Sequence, residues 1–145
     1  MQDDKPQTVS CLVTELCPYG DFLHIMNKTS FSQCEILARS YFKQLAKAVQ
    51  YLHSNSIAHL DIKPDNLLLG PDFRLKLADF DSAHVQGDKE IISRGSHSFR
   101  APEIAQGTCK NPQAADIYSL GCVLFTFITG MLPYKEKNGV TDPLQ

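Results

Sequence analysis

Four polar side chains within eight positions, directly ahead of a short apolar run, constrain this chain more than any other feature. They are His59, Asp61, Lys63 and Asn66, and Leu67–Leu69 follows at once. A carboxylate, a cation and a carboxamide on one tight loop suit phosphoryl transfer, which needs positioning and charge neutralisation more than covalent chemistry. The same residue types also occur in loops that only cap a helix, and the cluster alone leaves the two interpretations evenly balanced.

Three further motifs follow this loop in a fixed order. An Asp-Phe-Asp triplet occupies 79–81, an Ala-Pro-Glu triplet occupies 101–103, and Asp116 opens a long apolar stretch. Together with the loop, these motifs resemble the eukaryotic protein kinases of the serine/threonine type. The resemblance covers nearly the whole chain and implies one partial kinase domain of α+β class over residues 1–145.

The resemblance also implies how the chain divides. Residues 8–17 are expected to form the last strand of the small lobe and the hinge, and residues 18–145 an incomplete, mainly helical large lobe with a short β-hairpin. The small lobe would be almost entirely absent, since the sequence contains no Gly-x-Gly-x-x-Gly loop and no strand carrying a phosphate-binding lysine. We therefore expect negligible activity from this chain alone. The alternatives are an inactive, kinase-derived interaction module and a fragment of a longer active kinase.

Catalytic and metal roles follow from the same resemblance. Asp61 would orient the hydroxyl of a protein substrate, and Lys63 would stabilise the phosphate that is transferred from ATP. Asn66 and Asp79 would bind Mg²⁺ through oxygen atoms that a hairpin brings to one edge. A lysine two positions after the catalytic aspartate resembles serine/threonine kinases rather than tyrosine kinases.

The nucleotide contacts implied by the resemblance lie mostly near the N-terminus. Thr14 would be the gatekeeper, and the backbone of Glu15 and Cys17 would face the adenine. Leu68 would lie beneath the adenine ring. Asp21 would lie near the ribose, although an acidic helix start favoured by the helix dipole explains it equally well.

Three positions near these motifs qualify the match. Leu60 replaces the usual arginine that grips an activation-loop phosphate, so phosphorylation would lose its usual receptor. Asp81 replaces a glycine, although aspartate tolerates positive φ only partly. Ser96 matches the family's usual threonine, which bonds the catalytic aspartate and lysine.

Local patterns predict the secondary structure. A strand is expected from Val9 to Leu16, and a short helix from Asp21 to Met26. The next helix is predicted to begin with a capping box of Ser32 and Glu35, a hydrophobic staple of Phe31 and Ile36, and to run to about His53. Its apolar stripe has helical spacing: Leu37, Tyr41, Leu45, Val49 and Leu52.

The second half of the chain is predicted in the same way. A hairpin joins Leu67–Leu69 to Leu75–Leu77. A helix capped by Asn111 and stopped by Gly130 is apolar nearly all round, which predicts burial on every side. The resemblance to protein kinases implies that Asp116 within this helix is a structural carboxylate held by backbone N–H groups of the polar loop. The tail from 131 to 145 is predicted to be a loop.

Composition excludes several other classes of protein. A net charge of −2 gives no electrostatic case for binding nucleic acid or an anionic membrane. The N-terminus lacks the pattern of a signal peptide, and the run from Leu120 to Ile128 is too short to cross a bilayer. Five cysteines without Cys-x-x-Cys spacing indicate reduced thiols. The expectation is a soluble, cytoplasmic protein.

Overall fold

The computed structural model describes residues 11–88, 91, 97–137 and 140–143, with the backbone alone at residue 97 and from 134 onwards. Its helices are α1 (Phe22–Lys28), α2 (Glu35–Ser54), α3 (Pro102–Ala105) and α4 (Pro112–Thr129). The strands are β1 (Ile57–Ala58), β2 (Leu67–Leu69), β3 (Leu75–Leu77), β4 (His84–Val85), β5 (Tyr134–Lys137) and β6 (Val140–Pro143). Short 3₁₀ turns lie at Phe31–Gln33, Pro64–Asn66 and His97–Phe99.

The two long helices pack against each other. Leu45 and Val49 of α2 meet Val123 and Phe127 of α4 in one apolar cluster, and all four side chains are almost fully buried. Phe22 of α1 closes the cluster by stacking on Phe127, with ring centroids 5.5 Å apart. This core is the support on which the polar loop rests.

The three sheets that the described residues form each have two antiparallel strands. The predicted hairpin is confirmed, with Leu67 opposite Leu77 and Leu69 opposite Leu75. The pairing of β1 with β4, which places Ala58 opposite His84, was not predicted, because two-residue strands carry no usable periodicity. It pins the start of the polar loop to the segment after the Asp-Phe-Asp triplet.

The ends of α4 agree with the prediction, but its burial does not. Asn111 Oδ1 accepts a hydrogen bond from the Ala114 N–H at 3.3 Å, and Gly130 ends the helix at φ 70°. One face remains exposed, including Ile117 at 57% and Ile128 at 53%. Burial on every side is therefore wrong for this helix. The described elements cover only the side that faces α2 and the polar loop.

The predicted start of α2 is also wrong. Ser32 lies in the 3₁₀ turn, Cys34 is the N-cap without a side-chain hydrogen bond, and Glu35 instead pairs with Arg39. The staple fails too, because Ile36 is 79% exposed. Phe31 is buried in the core and holds the preceding turn, so the helix begins later than the local pattern indicates. Its end at Ser54 lies one residue past the predicted position.

The N-terminal strand is not formed in the described residues 11–16. Leu12 and Val13 are 89% and 92% exposed, and no strand in the described part of the chain pairs with them. An extended segment needs a neighbour for its backbone groups, and β-propensity cannot supply one. Residues 9–10 of the prediction lie outside the described range.

The prediction for the C-terminal tail is also wrong, because strands form where none was predicted. A loop was expected, but β5 and β6 form a hairpin with Tyr134 opposite Pro143 and Lys137 opposite Val140. All five cysteines are unpaired in the structure. Among the described helices, none combines the length and the apolarity that a membrane crossing requires.

Candidate active site

A buried carboxylate of α4 accepts hydrogen bonds from the backbone of the polar loop. Asp116 is fully buried, and its two oxygens accept hydrogen bonds from the backbone N–H groups of His59 and Leu60, both at 2.8 Å. This is the structural role predicted for Asp116. Because a buried carboxylate without donors is costly, the contact fixes the loop and the helix relative to each other.

A third donor to Asp116 was missed. His53, at the end of α2, places Nε2 2.8 Å from Asp116 Oδ2, with its side chain 17% exposed. The sequence predicted only a helix-end position for this residue. The two partners are 63 residues apart, so no local spacing could have revealed the contact.

The catalytic candidates lie together within the loop. Lys63 Nζ and Asn66 Nδ2 each lie 2.8 Å from Asp61 Oδ2, and Asn66 Nδ2 also donates to the Asp61 carbonyl at 2.9 Å. The side chains of Asp61 and Lys63 remain 11% and 18% exposed. Two donors thus hold one carboxylate oxygen, while Oδ1 makes no hydrogen bond within the described part of the chain.

His59 beneath this cluster is held in one neutral form. Its Nδ1 accepts from the Asp61 N–H at 3.2 Å, which leaves Nε2 as the donor to the Ala78 carbonyl at 3.0 Å. Burial lowers the pKa of His59, although the Ala78 carbonyl and the nearby carboxylates of Asp116, Asp61 and Asp79 oppose this shift. The imidazole therefore acts as a rigid connector between the loop and the segment before Asp79.

The hairpin brings the two predicted metal ligands to the same edge. Asn66 precedes β2 and Asp79 follows β3, and the Asn66 carbonyl accepts from the Ala78 N–H at 2.9 Å. Asp79 is exposed, and within the described residues its Oδ1 makes only a long contact, 3.4 Å, with the Asp81 N–H. Positive φ occurs at Asp79 (64°), whereas Asp81 is not among the described residues with positive φ. Phe80 instead packs edge-on against His59, with centroids 4.8 Å apart.

These residues fit a magnesium ion shared with phosphates. Asn66 uses its amide nitrogen on Asp61, which leaves its amide oxygen as the candidate ligand, and Asp79 offers a carboxylate. Oxygen ligands of this kind, few in number, suit Mg²⁺. Within the described residues, no group of three or more His, Cys, Asp or Glu is placed to hold a metal ion.

The predicted nucleotide residues fall into two sets. Asp21 and Leu68 form a backbone bridge, and the Leu69 N–H donates to the Gly20 carbonyl at 2.9 Å. The Asp21 carboxylate caps α1 by accepting from the His24 N–H at 2.7 Å, which supports the helix-start interpretation.

The second set lies on the exposed N-terminal segment. Thr14 and Glu15 are exposed, and Cys17 is half-buried. The Glu15 carboxylate lies 3.1 Å from Lys76 Nζ of β3. This ion pair is the contact that ties the segment to the hairpin.

Leu60 occupies an apolar environment. It is 8% exposed at φ 62°, and it belongs to a small cluster with Ala58, Ala101, Ile104 and Ala115. Apolar packing has therefore replaced the charged contact usual at this position. Ser96 lies outside the described residues.

Comparisons with known proteins show similarity to protein kinases over most of the chain. Residues 3–143 match the family model described as the protein kinase domain. The chain is 38% identical to the human testis-specific serine/threonine-protein kinase 1 and 36% identical to the rye carbon catabolite-derepressing protein kinase, each over 88% of its length. It is also 38% identical to a maternal embryonic leucine zipper kinase of Xenopus tropicalis. The chain spans 36%, 26% and 20% of these three relatives' lengths, respectively.

Proposed function

The chain belongs to the protein kinase family, and we propose that its polar loop orients a serine or threonine hydroxyl of a protein substrate for phosphoryl transfer from ATP in a complete domain. The observation that carries this proposal is the carboxylate of Asp61 with Lys63 and Asn66 both 2.8 Å from Oδ2. That arrangement leaves the other oxygen, Oδ1, to accept a hydrogen bond from a hydroxyl.

Each polar side chain of the loop has a separate role in this proposal. Asp61 accepts the hydrogen bond of the substrate hydroxyl and takes up its proton, which directs a lone pair of the oxygen towards the phosphorus. Lys63 offsets negative charge on the transferred group, and its bond to Asp61 holds both in register. Asp116 and His53 contribute only by fixing the loop's backbone.

The cofactors of this proposal are ATP and Mg²⁺. When bound, they supply the phosphoryl group and offset its charge. Asn66 and Asp79 would hold the metal ion through oxygen atoms. Thr14, Glu15, Cys17 and Leu68 would surround the adenine, and Asp21 would approach the ribose.

We further propose that the 145-residue chain, assayed alone, has negligible activity. Its sequence contains no glycine-rich loop and no strand lysine to clamp the phosphates. Removing one electrostatic stabiliser typically costs roughly 10²- to 10³-fold in rate, and here several are missing together. The same observation favours a second candidate function, an inactive interaction module.

A transfer assay with radiolabelled ATP tests both parts of the proposal. The chain is assayed alone. It is also assayed after being joined to the parts of the kinase domain that precede and follow the matched region in the human relative. Asp61→Asn should lower the turnover of the joined protein by about 10²- to 10⁴-fold, because the group that accepts the proton is lost. Asp65→Asn is the matched control, since Asp65 is exposed in the same turn, and it should leave turnover nearly unchanged.

Three outcomes would decide the question. Full turnover by the chain alone would contradict the second proposal. Turnover that survives Asp61→Asn would contradict the role of Asp61. A well-folded joined protein without activity would favour the interaction module.

A further inference from the structure

An apolar cavity of about 460 Å³ lies between α1, the turn at Phe31–Gln33 and the first turns of α2. Phe22, Phe31 and Leu69 form its buried floor, and Leu37, 44% exposed, lies at its mouth. The proposed kinase function gives this cavity no role. Its volume lies within the range that proteins use for small molecules.

The lining favours one class of ligand. Three aromatic side chains line the cavity, and Phe22 meets both Phe31 and Tyr41 edge-on, at centroid distances of 5.7 and 4.9 Å. Among the described residues, none of those that line the cavity carries a charge. An apolar, aromatic-lined cavity binds uncharged aromatic rings well, whereas a charged ligand would lose its hydration without gaining a partner.

The polar groups at the rim do not change this preference. The Thr29 hydroxyl already donates to the Ile25 carbonyl at 2.7 Å and accepts from the Phe31 N–H at 3.2 Å. The half-buried Cys34 thiol is the reactive group in the lining. It offers an internal reporter of occupancy.

The cavity is separate from the candidate active site. Leu69 lines it, whereas Leu68 precedes Leu69 in β2 and, by strand alternation, faces the other side. Likewise Phe22 lines the cavity and the adjacent Asp21 caps α1. A ligand there would lie behind the surface assigned to the nucleotide, so it need not compete with ATP.

We propose that the cavity is a binding site for a small, uncharged aromatic molecule of one or two fused rings. The site is independent of phosphoryl transfer. An inactive kinase domain would retain it, and its absence would not affect the role of Asp61.

Indole is a suitable probe, because the chain contains no tryptophan and the probe's fluorescence is therefore unobscured. Titration of the 145-residue chain should give saturable binding of one indole, unaffected by ATP. Indole-3-acetate, which is an anion, should bind at least about tenfold more weakly because the lining offers no cation. Bound indole should also slow alkylation of Cys34 but not of Cys109, which is half-buried elsewhere.

Two variants in the first turn of α2 form a matched pair. Leu37→Asp places a charge at the mouth and should weaken indole binding at least about tenfold. Ile36→Asp adds the same charge at the neighbouring, 79% exposed position and should leave binding unchanged. Both positions tolerate an acid because they lie near a helix N-terminus. Circular dichroism confirms that each variant is folded.

The proposal is overturned by any of three results. These are no saturable binding of indole by the folded chain, equal weakening by the two variants, or Cys34 alkylation that indole leaves unchanged.

Discussion

The polar loop (residues 57–66) and the N-terminal segment (residues 11–17) are both predicted to belong to one active site, yet they differ in how far they are buried. In the loop, His59 is fully buried and Asn66 is 7% exposed. In the segment, Val13 is 92% exposed, and no residue from 11 to 16 belongs to a helix or strand.

The difference lies in where each region finds its partners. The loop has Asp116 beneath it and bonds among its own side chains, so the described chain satisfies the polar side-chain atoms that the loop buries. The described part of the segment is mostly exposed, and its ion pair with the hairpin, Glu15 with Lys76, has side chains that are 52% and 35% exposed. The residues assigned to the hydroxyl are therefore held in place by the described chain, whereas the segment that carries Thr14, Glu15 and Cys17 is mostly exposed.

The largest effect should come from removing the loop's anchor. Asp116→Ala leaves the N–H groups of His59 and Leu60 buried without an acceptor, and we expect a loss of about 3 to 5 kcal/mol in the free energy of unfolding. Urea denaturation measures it. Glu15→Ala removes an exposed carboxylate and should stay within about 0.5 kcal/mol of the parent. Similar losses of unfolding free energy in the two variants would show that the loop's anchor contributes no more to stability than the exposed Glu15.

A smaller change in the free energy of unfolding is expected when the pH is lowered. Burial lowers the pKa of His59 below its ordinary value of 6.5, so the unfolded chain takes up the proton first as pH falls. The contribution to stability is complete above that ordinary value and is lost progressively below it, towards the folded pKa. His59→Gln should therefore flatten the fall in unfolding free energy between about pH 7 and about pH 5.5.

The exposed His24 provides the control for this measurement. His24→Gln should preserve the pH dependence of the parent. An equal flattening in both variants would show that burial of His59 is not the cause.

The smallest effect is expected in the segment itself. A double-mutant cycle with Glu15→Ala and Lys76→Ala should give a coupling energy of about 0.5 kcal/mol or less, because both side chains are partly exposed. Added salt should reduce it further. A coupling above about 2 kcal/mol would mean that the segment is held as firmly as the loop.

The features that the sequence predicted correctly are those whose partners are close in the chain or specified by a motif. Asp61, Lys63 and Asn66 fall within six positions, and their cluster was predicted. Asn111 and Gly130 bound α4 through local backbone chemistry. The role of Asp116 followed from the resemblance, since no local pattern joins it to residues 57 positions away.

The incorrect predictions concern features that depend on residues outside the local sequence pattern. The strand at 11–16 needed a neighbour, and the capping box at Ser32 was overridden because Phe31 is drawn into the core. The exposed face of α4 could not be predicted, since nearly uniform apolarity does not distinguish one side of a helix from another. His53 was missed because its partner is distant in sequence.

The buried Leu60 limits which side chains this position accepts. An arginine here would place its long side chain among Ala58, Ala101, Ile104 and Ala115, all of which are buried and apolar. Burial of an unpaired charge is strongly unfavourable, so Leu60→Arg alone would cost stability. A cation at this position therefore requires a second change that supplies a partner or opens the packing.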